Sequence, residues 1–278
     1  MNKDRVLVLG RGFLGKQFEK NGFKVLGRDD FNFDPNLHYS DLSSFECLGD
    51  LDSYDVIVNT VGKANTRWCE KPENWKELFK VNSELPHLLS DHAEKYDKKL
   101  VHISTGCVYD QNNRAQTEED GVVSHVRYVV SKLNGEYGCN LERDLIIRPR
   151  LFFGESEDKN NLLNKVRKFN SYLTEINSFT SVQTIVGATI ALLENDQSGV
   201  FNVANKGYTS LWNLCNSIGL RGDKMDGEQL RSQENLHLVN NIMDTSKLEE
   251  FYDPPEIFSE FKRCNQSLPP IEYHFPLI

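Results

Sequence analysis

Two observations predict an α/β protein with a doubly wound parallel sheet and a smaller, mixed α/β region at its C-terminal end. Short apolar, β-branched runs alternate with amphipathic helical patterns from Arg5 to Gly154, and such alternation is typical of βαβ units. The first run, "RVLVLG", ends in a glycine-rich turn that opens a helical pattern. A strand, a glycine turn and a helix in this order are typical of the Rossmann-type version of such sheets.

The alternation assigns each element of the first part in turn. The predicted strands are "RVLVLG", "FKVLG", "SYDVIVNTVG", "KKLVHIST" and "DLIIRPRLF". The predicted helices are "FLGKQFEKNG", which Gly22 ends, "PENWKELFKVNSELPHLLSDHAEKY", which Pro86 interrupts, and "RYVVSKLNGEYGCNLE". We therefore predict that residues 1–154 form the Rossmann-type domain.

After Gly154 the regular alternation stops. "NLLNKVRKFN", "TSVQTIVGATIALLEN" and "SLWNLCNSIG" have helical spacing, and "GVFNVAN" is a short strand. We predict a smaller region over residues 155–278, from which some segments return to the first domain.

Composition and charge narrow the class of function. The chain has 278 residues, of which 38% are hydrophobic and 26% charged, as in ordinary globular proteins. Its formal net charge of −9 argues against a general nucleic-acid binder, which needs a basic surface. Its apolar runs are too short for a signal peptide or a membrane span, so we expect a cytoplasmic protein without a membrane partner. The six cysteines include no CxxC pair and no His/Cys cluster, so we predict no metal site.

The segment "GRGFLG" follows the first strand directly and opens a helix. Glycines at these spacings permit a tight turn, a close approach of the backbone to a pyrophosphate, and helix–strand packing. The phosphate then lies at the helix N-terminus. We predict a dinucleotide site formed by the whole loop: Gly10, Arg11, Gly12, Phe13, Leu14 and Gly15.

The end of the second strand bears on which dinucleotide is bound. In "VLGRDD", Arg28 precedes Asp29 and Asp30. An arginine here suits the 2′-phosphate of NADP, with help from Arg11 in the loop, whereas an acid takes the ribose hydroxyls of NAD. We predict NADPH as the cofactor and keep NAD, with Asp29 as its ribose ligand, as the alternative.

The segment "YVVSK" places Tyr128 and Lys132 four residues apart, on one face of a helix. Of the ten tyrosines, only Tyr128 has a lysine four residues later. The lysine can lower the pKa of the tyrosine and hold the cofactor ribose, so that Tyr128 passes a proton to a carbonyl oxygen. Taken alone, the pair is equally compatible with an ordinary helix surface.

The order of these motifs resembles that of the extended short-chain dehydrogenase/reductase family. The glycine loop is followed by "STGCVYD" at a strand end, then by the Tyr–Lys pair, then by "IIRPRLFFG". The resemblance implies an enzyme in which Thr105 orients the substrate carbonyl beside Tyr128 and Lys132. The glycine loop is one residue shorter than the GxxGxxG that is usual in extended members.

Six segments narrow the resemblance to the nucleotide-rhamnose synthases, which are bifunctional 3,5-epimerase/4-reductases. They are "VIVNTVGKANTRWCEKPE", "STGCVYD", "NLLNKVRKFN", "INSFTSVQTIV", "GVFNVANKGYTSLWNL" and "NNIMDTSKLEEF". This resemblance implies a nucleotide-4-keto-6-deoxyglucose substrate and a nucleotide-L-rhamnose product, with UDP favoured over dTDP and GDP. The single-function dTDP-4-keto-rhamnose reductases are close relatives and typically lack a cysteine after the threonine.

Cys107, two residues after Thr105, bears on the choice between these two classes. The ketone of such a sugar makes the protons on carbons 3 and 5 acidic, and epimerisation needs a base on one face and an acid on the other. The resemblance puts this pair at Cys107 and at Lys165, within "NLLNK". The 4,6-dehydratase branch is disfavoured, because it needs an acid pair where Gly106 and Cys107 stand.

The remaining site residues complete the prediction. Substrate contacts are predicted at Thr105, Cys107, Arg150 and Asn177. Cofactor contacts beyond the glycine loop are predicted at Arg28, Asp41, Leu42, Thr60, Val61, Gly62, Tyr128 and Lys132. The resemblance further implies a structural role for Asn82 near the active-site strand, and a homodimer formed through two long helices.

Two alternatives stay open. One is a reductase only, with epimerisation performed by a separate protein. The other is a non-catalytic NADP-binding subunit that regulates another enzyme, because a fold alone does not establish activity. The intact set of Thr105, Tyr128 and Lys132 argues against the second alternative.

Overall fold

The computed structural model describes residues 1–27, 30, 53–109, 114–122, 124, 126–228 and 240–270. Its strands are β1 (Val6–Leu9), β2 (Lys24–Leu26), β3 (Val56–Asn59), β4 (Lys99–Ile103), β5 (Ala115–Gln116), β6 (Leu145–Pro149), β7 (Phe152–Phe153), β8 (Ser171–Leu173), β9 (Ile176–Asn177), β10 (Thr180–Ser181), β11 (Gly199–Val203), β12 (Thr209–Ser210), β13 (Asp223–Met225) and β14 (Ile242–Met243). Its α-helices are α1 (Phe13–Lys20), α2 (Thr66–Cys69), α3 (Trp75–Phe79), α4 (Leu85–Lys95), α5 (Arg127–Tyr137), α6 (Leu162–Val166), α7 (Val182–Glu194), α8 (Leu211–Ser217), α9 (Ser246–Glu249) and α10 (Ile257–Gln266).

Six strands form one sheet in the order β11-β6-β4-β3-β1-β2, and every pairing in it is parallel. From β1 the chain goes to β2 on one side, and β3 then lies on the other side of β1. The crevice at the carboxyl ends of β1 and β3 is therefore a topological switch point, where open α/β sheets bind their ligands. The predicted fold class is confirmed.

Helices cover both faces of the sheet. Alternate residues of each strand point to opposite sides, so each strand contributes side chains to both cores. On one face, Val8 and Val58 belong to a core cluster with Phe18 of α1 and Ile185 of α7. On the other face, the cluster of Leu7, Ile57 and Leu100 includes Leu85 and Leu89 of α4. The near-continuous apolar runs read from the sequence are strands buried on both faces.

The region after Gly154 contributes to the sheet and also forms a body of its own. Gly199–Val203 pairs with β6 and is the edge strand of the sheet. The strand pairs β7–β10, β8–β13, β9–β12 and β5–β14 lie outside it, and a separate core cluster surrounds Phe153, Phe179 and Phe261. The sheet thus includes a segment beyond residue 154, as the prediction allowed, while the domain boundary itself stays a prediction.

The long helical segment before β4 differs from its prediction at one point. Pro86 lies in the first turn of α4 and does not interrupt the helix. The irregularity comes earlier, in a π-helical turn over Lys80–Glu84 that joins α3 to α4. There the main-chain oxygen of Asn82 lies so close to α5 that a Cβ on Gly135 would come within 2.3 Å of it. The predicted homodimer through long helices stays a prediction.

Candidate active site

The glycine loop leaves no room for a side chain at two of its three glycines. Gly10 has a φ of +103°, and a Cβ there would lie 2.8 Å from Thr60 Oγ1. A Cβ on Gly15 would lie 1.7 Å from the main-chain oxygen of Gly10, whereas a Cβ on Gly12 would meet nothing within 4 Å. The space beside Gly12, which caps α1, is therefore open for a phosphate. Phe13 is buried in the core below the loop, so its main-chain N–H is the group that it offers to a cofactor.

Leu14 is buried in the same core cluster as its neighbour in the loop, and it too offers its main chain. Thr60, at the end of β3, holds the loop through two hydrogen bonds from its hydroxyl, to the oxygens of Leu9 (2.8 Å) and Gly10 (2.9 Å). The first turn of the predicted cofactor site is thus fixed by contacts between β1, β3 and α1.

Arg11 extends from the glycine loop to the end of β2. Its guanidinium forms ion pairs with Asp30 (2.8 Å) and Glu19 (3.2 Å) and donates a 2.9 Å hydrogen bond to the oxygen of Val25. Asp30 also accepts a 2.7 Å hydrogen bond from the N–H of Gly27, and this bond, followed by Arg11, lowers the pKa of the Asp30 carboxyl. The guanidinium of Arg11 therefore lies at the end of β2, paired there with two carboxylates.

Three of the predicted cofactor contacts, Arg28, Asp41 and Leu42, lie outside the described residues, and so does Asp29, the alternative ribose ligand. Their roles stay predictions. Within the described ranges, no group of three or more His, Cys, Asp or Glu side chains could hold a metal ion. No helix of those ranges is both long enough and apolar enough to cross a membrane.

The loop after β3 connects the cofactor crevice to α5. A Cβ on Gly62 would lie 3.5 Å from both Lys132 Nζ and Asn82 Oδ1. Asn82 accepts a 2.8 Å hydrogen bond from the N–H of Lys63, and its amide donates to the oxygen of Lys63 and to Ser131 Oγ, each at 3.0 Å. Asn82 therefore joins the π-helical turn, this loop and α5, which is a structural role. Val61, the third predicted residue of the loop, is held through its N–H, which donates to Asn59 at 3.1 Å.

Thr105 and Tyr128 lie together at the carboxyl end of β4. Thr105 caps the 3₁₀ turn Gly106–Val108, and its Oγ1 accepts a 3.2 Å hydrogen bond from the N–H of Cys107. Tyr128 is buried, with 8% of its surface exposed. Burial and the neighbouring Cys107 raise the pKa of Tyr128, while a hydrogen bond with Thr105 lowers it. The phenol is therefore protonated near neutral pH.

Lys132 lies one turn after Tyr128, and burial lowers its pKa to about 8 against the opposing influence of Glu136. The ammonium donates a 2.7 Å hydrogen bond to the main-chain oxygen of Ile103. The net shift in the pKa of Tyr128 is upward, so the predicted lowering by Lys132 stays a prediction. Burial and the neighbouring Cys107 are the two causes of this upward shift.

Arg150 links two other predicted substrate residues. Its Nη1 donates to Cys107 Sγ at 3.0 Å, and its Nη2 donates to Asn177 Oδ1 at 2.8 Å. Arg150 and Asn177 are buried, and Cys107 is partly exposed. The main-chain N–H of Cys107 also donates a hydrogen bond to Thr105. The four predicted substrate residues are therefore joined by one chain of hydrogen bonds: Thr105, Cys107, Arg150 and Asn177.

Lys165 stands apart from this group. It lies on α6, exposed on the helix surface. Partial desolvation of its ammonium lowers its pKa, and the carboxylate of Asp158 opposes that change. Among the contacts between described residues, none joins Lys165 to Cys107. The predicted acid–base pair is therefore not assembled by direct contact in this structure.

Asn241, which was not among the predicted site residues, completes the turn that carries Cys107. Its amide donates a 2.7 Å hydrogen bond to the oxygen of Gly106, and its N–H donates to Asn177 Oδ1 at 3.3 Å. Met243 packs against the same turn, so closely that a Cβ on Gly106 would lie 2.2 Å from Met243 Sδ. The available signal was the quoted segment "NNIMDTSKLEEF", in which no residue was given a role.

A buried polar network beneath the site was also missed. Arg148 donates to Glu136 at 2.5 Å and to the hydroxyl of Tyr109 at 2.8 Å, and Tyr109 donates to Asn202 at 2.6 Å. Glu136 accepts a further hydrogen bond from Ser104, the residue directly before Thr105. All five residues are buried. The four-residue spacing between Lys132 and Glu136 on α5 was the signal that could have found this network.

Comparison with known proteins identifies the family. The model of the RmlD substrate binding domain matches residues 5–240, which is most of the chain. The chain belongs to this family. The predicted membership of the extended short-chain dehydrogenases/reductases is thereby confirmed.

Two curated proteins are similar to this member of the family in sequence. Protein L780 of Acanthamoeba polyphaga mimivirus is 21% identical over 91% of this chain and 94% of its own length. In Arabidopsis thaliana, the trifunctional UDP-glucose 4,6-dehydratase/UDP-4-keto-6-deoxy-D-glucose 3,5-epimerase/UDP-4-keto-L-rhamnose-reductase RHM1 is 23% identical over 73% of this chain. The match covers only 32% of that plant protein.

Solved structures agree with the fold of the family. The crystal structure of the L780 UDP-rhamnose synthase from the same virus has a TM-score of 0.79 and covers 95% of this chain and 99% of its own. The dTDP-4-dehydrorhamnose reductase from Bacillus anthracis, in complex with NADP, has a TM-score of 0.78 at 18% identity, covering 96% and 100%. These relatives, by their names, are nucleotide-sugar enzymes of rhamnose synthesis, as the motifs predicted, and one of them holds NADP.

Proposed function

We propose that the protein is an NADPH-dependent 3,5-epimerase/4-reductase that converts a nucleotide-4-keto-6-deoxyglucose to the nucleotide-L-rhamnose, with UDP as the favoured nucleotide. The observation that carries the proposal is the position of Cys107. Its N–H donates a hydrogen bond to Thr105, and its sulfur accepts one from Arg150. Reduction of a ketone needs a proton donor for the oxygen, and Tyr128 provides it. Reduction alone gives this thiol no part in the chemistry, whereas proton transfer on carbon gives it one.

The residues around the switch point fit a nicotinamide dinucleotide. The open space at Gly12 suits the pyrophosphate, and the guanidinium of Arg11 at the end of β2 suits a 2′-phosphate. Lys132, next to Gly62, would hold the nicotinamide ribose. When bound, the cofactor supplies the hydride for carbon 4 of the sugar.

In the reduction, the chain's residues orient the ketone and deliver one proton. Thr105 and Tyr128 would both donate hydrogen bonds to the oxygen on carbon 4. Tyr128 would transfer its proton to that oxygen as the oxygen gains negative charge. The ammonium of Lys132 would stabilise the resulting phenolate. This step requires a protonated Tyr128, which agrees with the raised pKa of the phenol.

In the epimerisation, a base removes the proton from carbon 3 or carbon 5, and the electron pair moves to the ketone oxygen as an enolate. Proton return on the opposite face then inverts the carbon. We assign these transfers to Cys107 and Lys165, since a thiolate beside a guanidinium is a base and a partly desolvated lysine can exchange a proton. Lys165 would have to reach the opposite face of the sugar from α6.

The reductase-only alternative needs a proton for the ketone oxygen alone and gives no role to Cys107 or Lys165. Incubation with UDP-4-keto-6-deoxyglucose and NADPH in deuterated water, read by NMR and mass spectrometry, separates the alternatives. Rhamnose with deuterium at carbons 3 and 5 supports the proposal. NADPH oxidation without deuterium at those carbons leaves a reductase, and tight NADPH binding without turnover on the UDP or dTDP substrate favours a regulatory subunit.

The assignment of Lys165 has its own test. Lys165→Ala should lose deuterium exchange at one or both carbons while still reducing an epimerised substrate. Lys168→Ala is the matched control, because Lys168 is an exposed lysine directly after the same helix. Equal exchange in both variants would remove Lys165 from the mechanism.

A further inference from the structure

The guanidinium of Arg150 is held in one orientation. Its Nη2 is fixed by Asn177 Oδ1 at 2.8 Å, and its main-chain N–H is fixed by Thr180 Oγ1 at 2.9 Å. In this orientation Nη1 points at Cys107 Sγ, 3.0 Å away. Because the guanidinium is a rigid planar fork, fixing one nitrogen also fixes the direction of the other.

Charge and burial distinguish the contact between Arg150 and Cys107 from a hydrogen bond between two neutral groups. Arg150 is only 5% exposed, and a guanidinium keeps its charge at every pH at which proteins fold. A buried charge is costly unless an acceptor or an opposite charge lies against it. In general, a thiol in contact with a cation ionises more readily than a thiol in apolar surroundings.

Among the described residues, the other titratable groups near Cys107 are neutral near pH 7 or are directed elsewhere. Tyr128 of α5 faces the sulfur, and burial raises the pKa of the phenol. Cys69 of α2 lies in the same cluster, and burial raises the pKa of its thiol to about 12. Glu70 is directed to the start of α5, where it accepts from the N–H of Tyr128 at 3.3 Å. Lys132 is directed to the oxygen of Ile103, at 2.7 Å.

From this arrangement we propose that Arg150 is a positioning residue that holds Cys107 as the thiolate that takes the proton from carbon, and is not primarily a substrate contact. The inference rests on the proposed epimerase function. Asn177 then serves Cys107 indirectly, by fixing the orientation of Arg150. The partial exposure of Cys107 leaves its sulfur free to reach the sugar while the guanidinium stays behind it.

The test is the pH dependence of iodoacetamide alkylation at Cys107, followed by peptide-resolved mass spectrometry on the full chain without substrate. In Arg150→Gln the midpoint pH should rise by about one to three units, the size of effect that an opposite charge has at this distance. Arg150→Lys keeps the cation and should restore most of the shift. Cys139, whose pKa is raised to about 12 by burial, reports from the same sample as an internal control.

Two further variants guard against a general disturbance. Arg5→Gln removes an exposed arginine at the other end of the sheet, which pairs with Asp55, and should leave the Cys107 midpoint unchanged. Asn177→Ala keeps the charge but frees its orientation, and should give a smaller rise than Arg150→Gln. It also supplies a measurement if Arg150→Gln does not fold.

The outcomes separate this inference from the proposed function. A raised midpoint, together with at least a tenfold slower deuterium exchange at neutral pH, supports both. An unchanged midpoint in Arg150→Gln, with a higher KM for the sugar, overturns the inference and returns Arg150 to substrate binding. A raised midpoint in Arg150→Gln, when the wild type exchanges no deuterium, overturns the proposed epimerase, and with it the role of this thiolate in proton transfer.

Discussion

Lys132 and Ile103 are joined by a 2.7 Å hydrogen bond from the ammonium to the main-chain oxygen at the end of β4. The bond connects α5 to the strand end two residues before Thr105. Burial lowers the pKa of Lys132 to about 8, so this ammonium titrates in the mildly alkaline range. The protonation state of Lys132 can therefore be followed by varying the pH around 8.

The pH dependence of reduction should follow Lys132. The protonated form is the one that stabilises the Tyr128 phenolate, so kcat/KM for NADPH oxidation should be constant at neutral pH and fall about tenfold per unit above about pH 8. The raised pKa of Tyr128 would produce a fall only at much higher pH. A profile that stays flat through pH 8 and falls only in strongly alkaline solution would contradict the assignment.

Tyr128→Phe should lose reduction but keep the fold. Removing a general acid costs about 10²- to 10⁴-fold in rate, while the phenyl ring retains the buried packing of Tyr128. Steady-state NADPH oxidation measures the loss, and NADPH binding by fluorescence is the control that the cofactor site remains. A loss of less than about tenfold would mean that another group protonates the oxygen.

The glycine loop offers a matched pair of substitutions. Gly15→Ala should lower the unfolding temperature and abolish NADPH binding, because its Cβ would lie 1.7 Å from the oxygen of Gly10. Gly12→Ala should leave the unfolding temperature near that of the wild type, because its Cβ meets no protein atom within 4 Å. It should nevertheless weaken NADPH binding if the pyrophosphate approaches there. Equal unfolding temperatures for the two variants would refute this account of the loop.

The buried ion pair of Glu136 and Arg148 should dominate local stability. Glu136→Gln leaves a buried guanidinium without its carboxylate, and we expect a loss of about 3–5 kcal/mol in the free energy of unfolding. Urea unfolding monitored by circular dichroism measures it. Asp55→Asn, which removes an exposed ion pair with Arg5, is the control and should change stability little. Similar losses in both variants would show that burial of the pair does not matter.

Local sequence patterns were sufficient for the sheet and for the first turn of the cofactor site. β1, the glycine loop and α1 follow each other in the chain, so their geometry depends on neighbouring residues. The same holds for Tyr128 and Lys132, whose spacing on one helix fixes their common face. These features are set by backbone periodicity and by the conformational freedom of glycine.

Contacts between distant segments could not be derived in the same way. Arg150 and Cys107 are brought together because β4 and β6 are neighbours in the sheet, and nothing in either segment specifies that an N–H points at the sulfur. The π-helical turn at Lys80–Glu84 likewise depends on packing against Gly135 of α5. The contacts of Lys165 with a substrate stay a prediction for the same reason.

The most direct test of the central claim is deuterium incorporation by Cys107→Ala. In deuterated water with UDP-4-keto-6-deoxyglucose and NADPH, exchange at carbons 3 and 5 should fall by about a hundredfold or more relative to the wild type. Reduction of a substrate that is already epimerised should continue, because Thr105, Tyr128 and Lys132 remain. Undiminished exchange in Cys107→Ala would contradict the account and leave Cys107 without a part in the chemistry.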